Sequence, residues 1–274
     1  MPELPEVETV RRGLTRWTLN STINAVDVLH HRATNPRSAA QLEVITGASI
    51  KAISRRGKFL WFDLDRPYAL VAHLGMSGQF RVQPTGAPDE KHLRVRLLLE
   101  DHQELRFIDQ RTFGWLAISA SDGSVPDLVA AIAPDIFDPL FDRSVVVRKF
   151  RKKQTEIKRA LLDQNLMSGV GNIYADESLW RAKIHPQSRC DELSTRKMES
   201  LLTAVETVMS KALVEGGTSF DSLYINVNGE SGYFAHSLEA YGRENEPCTR
   251  CATQIRRIVF AGRSSHFCPK CQRL

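Results

Sequence analysis

Apolar positions recur at helical spacing directly after Pro5, where Val7, Val10 and Leu14 fall on one face. Pro5 suits a first turn, Glu6 and Glu8 sit where the helix dipole favours acids, and Gly13 lies near the expected end. From about residue 20 to 118 the period shortens towards two, as in β-strands. Runs at Lys58–Asp65, Tyr68–Leu74, Gln79–Gln83 and Leu93–Leu99 read as strands, separated by breaks such as Asp65-Arg66-Pro67 and Pro84-Thr85-Gly86-Ala87-Pro88. Leu93, Val95, Leu97 and Leu99 alternate with His92, Arg94 and Arg96, the pattern of a half-buried strand. This first half is therefore expected to be a β-sandwich with the N-terminal helix packed on it.

Pro126 to Pro139 reads as a linker or a short helical connection, and the pattern beyond it turns helical. Ile157, Leu161 and Leu162 make one apolar face. Leu201, Val205, Val208, Met209 and Ala212 make another, ending at Gly216-Gly217. Between them, Gly169-Val170-Gly171-Asn172 places two glycines just before a helix. Such a turn exposes backbone N–H groups that can hold a phosphate, with Asn172 reaching the same group; it also reads as a simple capping turn. Residues 217–242 are rich in Gly, Ser and Asn, as in a loop that closes over something bound or an idle connection.

Charge adds a partner. Lys and Arg number 37 against 32 Asp and Glu, a net charge of +5. That excess is modest, so distribution matters more than total. Arg143, Arg148, Lys149, Arg151, Lys152, Lys153, Lys158 and Arg159 crowd into one stretch with only Glu156 among them. Lys51, Arg55, Arg56 and Lys58 form a second cluster, and Arg250, Arg256, Arg257 and Arg263 a third. Together they are the electrostatic footprint of a polyanion binder, whereas any one alone reads as a solvated face. No apolar run is long enough to span a bilayer and no signal peptide is evident, so a cytoplasmic location is expected.

Cys248-x2-Cys251 and Cys268-x2-Cys271 have the spacing of a four-thiolate zinc site, the intervening segment Gln254–Phe260 and the turn at Gly262 fitting a hairpin. Four thiolates leave no open position for water, so one structural Zn2+ is expected. Two disulfides are the alternative, disfavoured in a reducing compartment. Arg263, near the hairpin tip, is placed to grip a phosphate. Cys190 stands alone as a structural or surface thiol.

The start Met1-Pro2-Glu3 carries candidate chemistry. Trimming of Met1 leaves a proline secondary amine beside a carboxylate, with a helix starting just after it to disfavour the ammonium form. Such an amine can form a Schiff base at a sugar C1′. The same residues also read as the start of an ordinary amphipathic helix.

Taken in order, Pro2-Glu3-Leu4-Pro5-Glu6, Arg56-Gly57-Lys58-Phe59-Leu60, His73-Leu74-Gly75-Met76-Ser77-Gly78, Asp109-Gln110-Arg111-Thr112-Phe113-Gly114, Gly169-Val170-Gly171-Asn172-Ile173-Tyr174 and the four-cysteine hairpin with Gly262-Arg263-Ser264 resemble the formamidopyrimidine-DNA glycosylase family. The resemblance covers nearly the whole chain. It implies an α+β multidomain protein, with an N-terminal helix and β-sandwich (1–125), a linker (126–141), a helix–two-turn–helix DNA-binding domain (142–223), and a lesion-capping loop with a zinc finger (224–274). It implies a bacterial repair enzyme acting on the nucleoid; a monomer is expected by default, since nothing in the sequence suggests a symmetric interface. Such an enzyme flips oxidised purines out of double-stranded DNA, preferably opposite cytosine, excises them and then cuts the strand as a lyase.

The resemblance also implies roles. Pro2 is the nucleophile, Glu3 the group that protonates the sugar ring oxygen or an equivalent leaving site, and Lys58 a cation that binds phosphate and helps keep the Pro2 amine neutral. Arg263 binds the phosphates flanking the lesion. Met76 and Phe113 enter the stack where the base has left, and Arg111 hydrogen-bonds the orphaned partner. His73, His92, Lys153 and Asn172 match phosphate-contact positions. On residue type alone, Met76 and Phe113 read as core, and His73 and His92 as satisfied polar residues on strands. Asn245 and Ala252 stand where the family commonly has glycine, which should shift the hairpin slightly. The rival readings are an endonuclease VIII-like enzyme for oxidised pyrimidines and a non-catalytic zinc-ribbon DNA-binding protein.

Overall fold

The computed structural model describes residues 2–218 and 234–274. The described chain forms two compact units, residues up to 131 joined by 216–218, and residues 132–215 with 234–274. The central part of the 217–242 segment, expected to be a closing loop, lies outside the described residues.

In the first unit α1 (Leu4–Thr18) precedes eight strands: β1 (Ile23–Val28), β2 (Ile50–Arg56), β3 (Phe59–Leu64), β4 (Tyr68–His73), β5 (Gly78–Pro84), β6 (Leu93–Leu99), β7 (Gln103–Asp109) and β8 (Trp115–Ala120). They pair antiparallel into two four-stranded sheets, β1-β6-β7-β5 and β2-β3-β4-β8. Phe62 of one sheet meets Phe80 of the other edge-on at 5.8 Å, within a shared core that includes Leu70, Leu97, Leu105 and Ile118. The alternation in β6 is matched residue by residue, with Leu93, Val95, Leu97 and Leu99 buried and Arg94, Arg96 and Leu98 between them half-buried.

Helix α1 packs on β2, β3 and β5. Val7, Val10 and Leu14 are no more than 2% exposed, and burying each stabilises the unit by roughly 1.5–3 kcal/mol. The helix runs five residues beyond Gly13, to Thr18. Leu14 and Thr18 stay on the buried face, and that packing outweighs the ~1 kcal/mol a mid-helix glycine costs relative to alanine.

The segment read as a linker or short helical connection opens with the one-turn helix α2 (Asp127–Ala130), which belongs to the first unit; the second unit follows. α3 (Arg143–Arg151), α4 (Ile157–Leu162), α5 (Asn172–Ala182) and α6 (Thr195–Val214) then precede the hairpin β9 (Arg256–Phe260) and β10 (Arg263–Phe267). α5 packs against α4, α6 and β10. Helix α3, read from the sequence only as a basic run, buries Val146, Val147 and Phe150 and starts on Asp142, whose side chain accepts from Val145 N–H. Among the described residues no helix is long and apolar enough to cross a membrane.

Candidate active site and DNA interface

Glu3 caps α1 and is 2% exposed. Its N–H donates to Glu6 Oε2 at 2.8 Å, one half of a capping box that holds the backbone beside buried Pro2. Glu6 has a second task that the sequence did not suggest. Its Oε1 accepts from the N–H of Thr218 at 2.8 Å and the Thr218 hydroxyl at 3.0 Å. A Cβ on Gly217, whose φ is +82°, would stand 3.0 Å from that same oxygen. One carboxylate therefore ties the Pro2-Glu3 backbone to the start of the 217–242 segment.

Lys58 sits in the two-residue turn between β2 and β3 and is buried. It acts electrostatically on His73, at the end of β4. Burial, then the nearby Lys58 charge, push the His73 pKa down to about 4. The ring stacks on Trp115 and packs against Phe59, and its Nδ1 accepts from Gly75 N–H at 3.1 Å. A neutral imidazole whose Nδ1 accepts carries its proton on Nε2 and can only donate there, which suits a phosphate oxygen. The unfolded chain protonates this histidine near 6.5 and the folded one only near 4, so its contribution to stability is complete above pH 6.5 and is lost as pH falls from 6.5 to 4. The total is roughly 3 kcal/mol. Urea unfolding at pH 7 and pH 5 should show a shallower acid loss for His73→Gln than for the parent chain; equal losses would refute the neutral assignment.

Met76 and Phe113, which residue type alone would put in the core, are 41% and 57% exposed. Both lie on turns at one end of the sheets, Met76 between β4 and β5 and Phe113 between β7 and β8. Exposed Arg111 reaches over the Phe113 ring at 5.7 Å. His92, half-buried just before β6, accepts from Asp109 N–H through its carbonyl.

In the second unit the segment between α4 and α5 is stapled by Gln164. Its Nε2 donates to the carbonyls of Leu162 and Val170, and its Oε1 accepts from Gly169 N–H, each at 2.9 Å. Gly169 has φ +92°, so a left-handed turn precedes α5. Asn172 opens α5 and donates Nδ2 to Ser264 O at 3.0 Å, tying the helix start to the hairpin. Lys153 is exposed just past α3, its Nζ 3.9 Å from Asp163. Lys158 belongs to the basic run in sequence but not in space. It is fully buried, 2.6 Å from Asp176, and donates to Ser264 O at 3.0 Å. Asp176 also accepts from Ser265 Oγ at 2.9 Å and His266 N–H at 2.8 Å. This buried hub, legible in sequence only as one more cation and one more acid, fixes β10 next to exposed Arg263. Glu177 does similar work, accepting from the N–H groups of Glu239, Ala240 and Tyr241.

The four thiols of Cys248, Cys251, Cys268 and Cys271 lie within 4.8 Å of one another, and none is disulfide-bonded. Cys251 Sγ is 3.4 Å from Cys268 Sγ and 3.5 Å from Cys271 Sγ. A tetrahedron of Zn–S bonds of about 2.3 Å needs sulfurs about 3.8 Å apart, so the set fits a closed structural zinc site. Trp180, Ala240 and Ile255 pack round it, and Arg250 stacks on Trp180. Cys190 is fully buried, and burial pushes its thiol up to about 11, as for a structural residue.

The two departures at the hairpin have a backbone meaning. Asn245 and Ala252 have φ +67° and +58°, the left-handed region where glycine is unstrained. Asparagine tolerates that region and alanine does not. Ala252→Gly is expected to raise the melting temperature of the zinc-loaded protein, a gain of about 0.5–1 kcal/mol; a lower melting temperature would count against strain there.

Three family models match the chain. They are the formamidopyrimidine-DNA glycosylase N-terminal domain at residues 1–116, the H2TH domain of the same enzyme at 132–222, and the zinc finger found in FPG and IleRS at 245–274. A formamidopyrimidine-DNA glycosylase of Nocardioides sp. is 56% identical over 278 residues, 99% of this chain and 94% of the relative. That of Streptomyces coelicolor is 55% identical over 281 residues, 100% of this chain and 98% of the relative. Among solved structures, the Lactococcus lactis Fpg bound to abasic-site DNA aligns with TM-score 0.89 at 36% identity, covering 99% of this chain and all of that one. The same protein bound to DNA containing Fapy-dG gives the same score, identity and coverage.

Proposed function

Because the chain belongs to the formamidopyrimidine-DNA glycosylase family, we propose that it excises oxidised purines from duplex DNA through Pro2 and then cuts the strand as an abasic-site lyase. The family makes it a DNA-binding glycosylase with a structural zinc. The observation that carries the finer reading is the start of α1, where Pro2 and Glu3 are buried side by side and held by Glu6.

With Met1 removed, Glu3 gives a proton to the ring oxygen as the Pro2 nitrogen attacks C1′ of the extruded nucleoside, and the bond from C1′ to that oxygen breaks to leave a C4′ hydroxyl. The Pro2 nitrogen loses its proton, its lone pair expels the base with the electron pair of the bond from C1′, the base takes up a proton, and an iminium remains between Pro2 and C1′. The iminium acidifies a C2′ hydrogen. Its removal expels the 3′ phosphate, and a second elimination expels the 5′ phosphate. Lys58 supplies a fixed cation beside this chemistry, favouring the neutral amine.

Met76, Phe113 and Arg111 are read as the wedge. Their exposure and their place on adjacent turns support insertion into the stack, with Arg111 on the orphaned base, preferably cytosine. Neutral His73, together with His92, Lys153, Asn172 and Arg263, is read as the phosphate-contacting set. The enzyme is taken to act as a monomer on DNA in the bacterial cytoplasm.

Borohydride trapping on duplexes carrying 8-oxoguanine tests the reading. A covalent adduct on Pro2, lost in Pro2→Gly, is expected; an adduct mapped to an internal lysine would overturn it. A second reading has one observation in its favour, since the Lactococcus lactis enzyme has been solved on DNA containing an oxidised pyrimidine. Comparing 8-oxoguanine with thymine glycol duplexes decides it: faster cleavage of thymine glycol would make pyrimidines the main substrate.

A further inference from the structure

The three exposed side chains of the wedge stand on two turns, and one carboxylate beneath them holds both. Asp109 ends β7 and is fully buried. Its Oδ1 accepts from the Ser77 hydroxyl at 2.5 Å and from Arg111 N–H at 3.1 Å. Its Oδ2 accepts from Gly114 N–H at 2.7 Å. The Arg111 N–H is shared with Ser77 Oγ at 3.0 Å. One acid thus grips the turn carrying Met76, through Ser77, and both ends of the turn carrying Arg111 and Phe113.

That second turn is strained. Thr112 has φ +55°, a region β-branched residues avoid. Such strain persists only where the surroundings over-determine it. The N–H groups on either side of the Thr112-Phe113 pair are the two that Asp109 accepts. The two turns also touch backbone to backbone. A Cβ on Gly75 would lie 2.4 Å from Gly114 N and from Phe113 C, so only glycine lets them close.

We propose that Asp109 is the positioning residue of the wedge. It does not touch DNA. It holds the strained Thr112 turn and locks it to the Met76 turn, so that Met76, Arg111 and Phe113 enter the duplex as one rigid block. The assignment rests on the wedge role given above. An amide at this position has one acceptor oxygen for three donors, so at least one N–H or hydroxyl loses its partner and the strained turn is free to relax.

Three measurements on the full chain test this. Single-turnover excision of 8-oxoguanine from a duplex should slow about 10–100-fold in Asp109→Asn, the effect of a buried hydrogen bond lost from the insertion step. Borohydride trapping on a single-stranded oligonucleotide with an abasic site, which has no partner strand to wedge, should be unchanged. Adding Thr112→Gly, which removes the strain the carboxylate opposes, should restore a measurable part of the duplex rate. Duplex excision at the wild-type rate in Asp109→Asn overturns the proposal. So does trapping that falls in parallel with excision, because that marks general misfolding, and so does a double variant no faster than Asp109→Asn. Wild-type protein that forms no adduct on either substrate refutes the catalytic reading instead.

Discussion

Glu3→Gln should keep DNA affinity while base excision slows by about 10²–10⁴-fold, the contribution of a positioned general acid. The geometry makes this a clean substitution. Glu3 is 2% exposed at the helix start, and its backbone N–H is held by Glu6 rather than by its own side chain. Glutamine has the same shape and retains an acceptor oxygen for the helix N–H groups, so α1 stays capped. What it lacks is a transferable proton. The residues proposed to contact phosphate are untouched, so affinity for lesion duplex has no reason to change. The measurement is a pair: equilibrium binding to an 8-oxoguanine duplex, and single-turnover release of the base. Excision at the parental rate would remove Glu3 from the chemistry. Weakened binding alongside slow excision would instead point to a disturbed α1, a disturbance that the burial of Val7, Val10 and Leu14 resists.

How much of this was legible in the sequence depends on whether local pattern or distant partners decide a residue's place. Strand β6 was readable because alternation and burial are the same fact viewed twice. The zinc ligands were readable because paired thiols at fixed spacing have few other uses. Met76 and Phe113 were misleading, since an apolar side chain is core by default and only the meeting of two turns puts these on the surface. Lys158 was misleading in the opposite way. The other cations of the run from Arg148 to Arg159 are exposed, but α4 turns Lys158 inward to Asp176, eighteen positions along the chain. Gly13 was given too much weight as a helix end, because helix length followed the apolar face rather than one residue's propensity. Gln164, Asp176 and Glu177 carry no local signal at all, and Glu6 signals only a helix start. Each matters through backbone groups that the fold brings to it.

Removing one zinc ligand is the second substitution with a large expected effect, and its signature is its confinement. In Cys248→Ala the metal should be lost or weakly held, and DNA affinity should fall about tenfold or more. The reason is the hairpin's geometry. β9 and β10 meet at the two-residue turn Ala261-Gly262, and exposed Arg263 begins the returning strand. Arg263 can hold a phosphate only if that strand is fixed. The inner end of β10 runs directly into Cys268, and its middle is pinned to Lys158, Asn172 and Asp176. Loss of the metal frees the Cys268 end, and a charge-assisted hydrogen bond to phosphate is worth about 1.5–3 kcal/mol when well placed. The salt dependence separates this from general weakening, since log affinity against log salt should lose about 0.9 of slope for each phosphate contact given up. Arg263→Ala in zinc-loaded protein should reproduce the slope change without releasing metal. Hydrogen exchange in β4 and β8 should stay protected in both variants, because the core of the first unit draws on none of these residues. Parental affinity after confirmed loss of zinc would show that the hairpin does not need its metal to present Arg263.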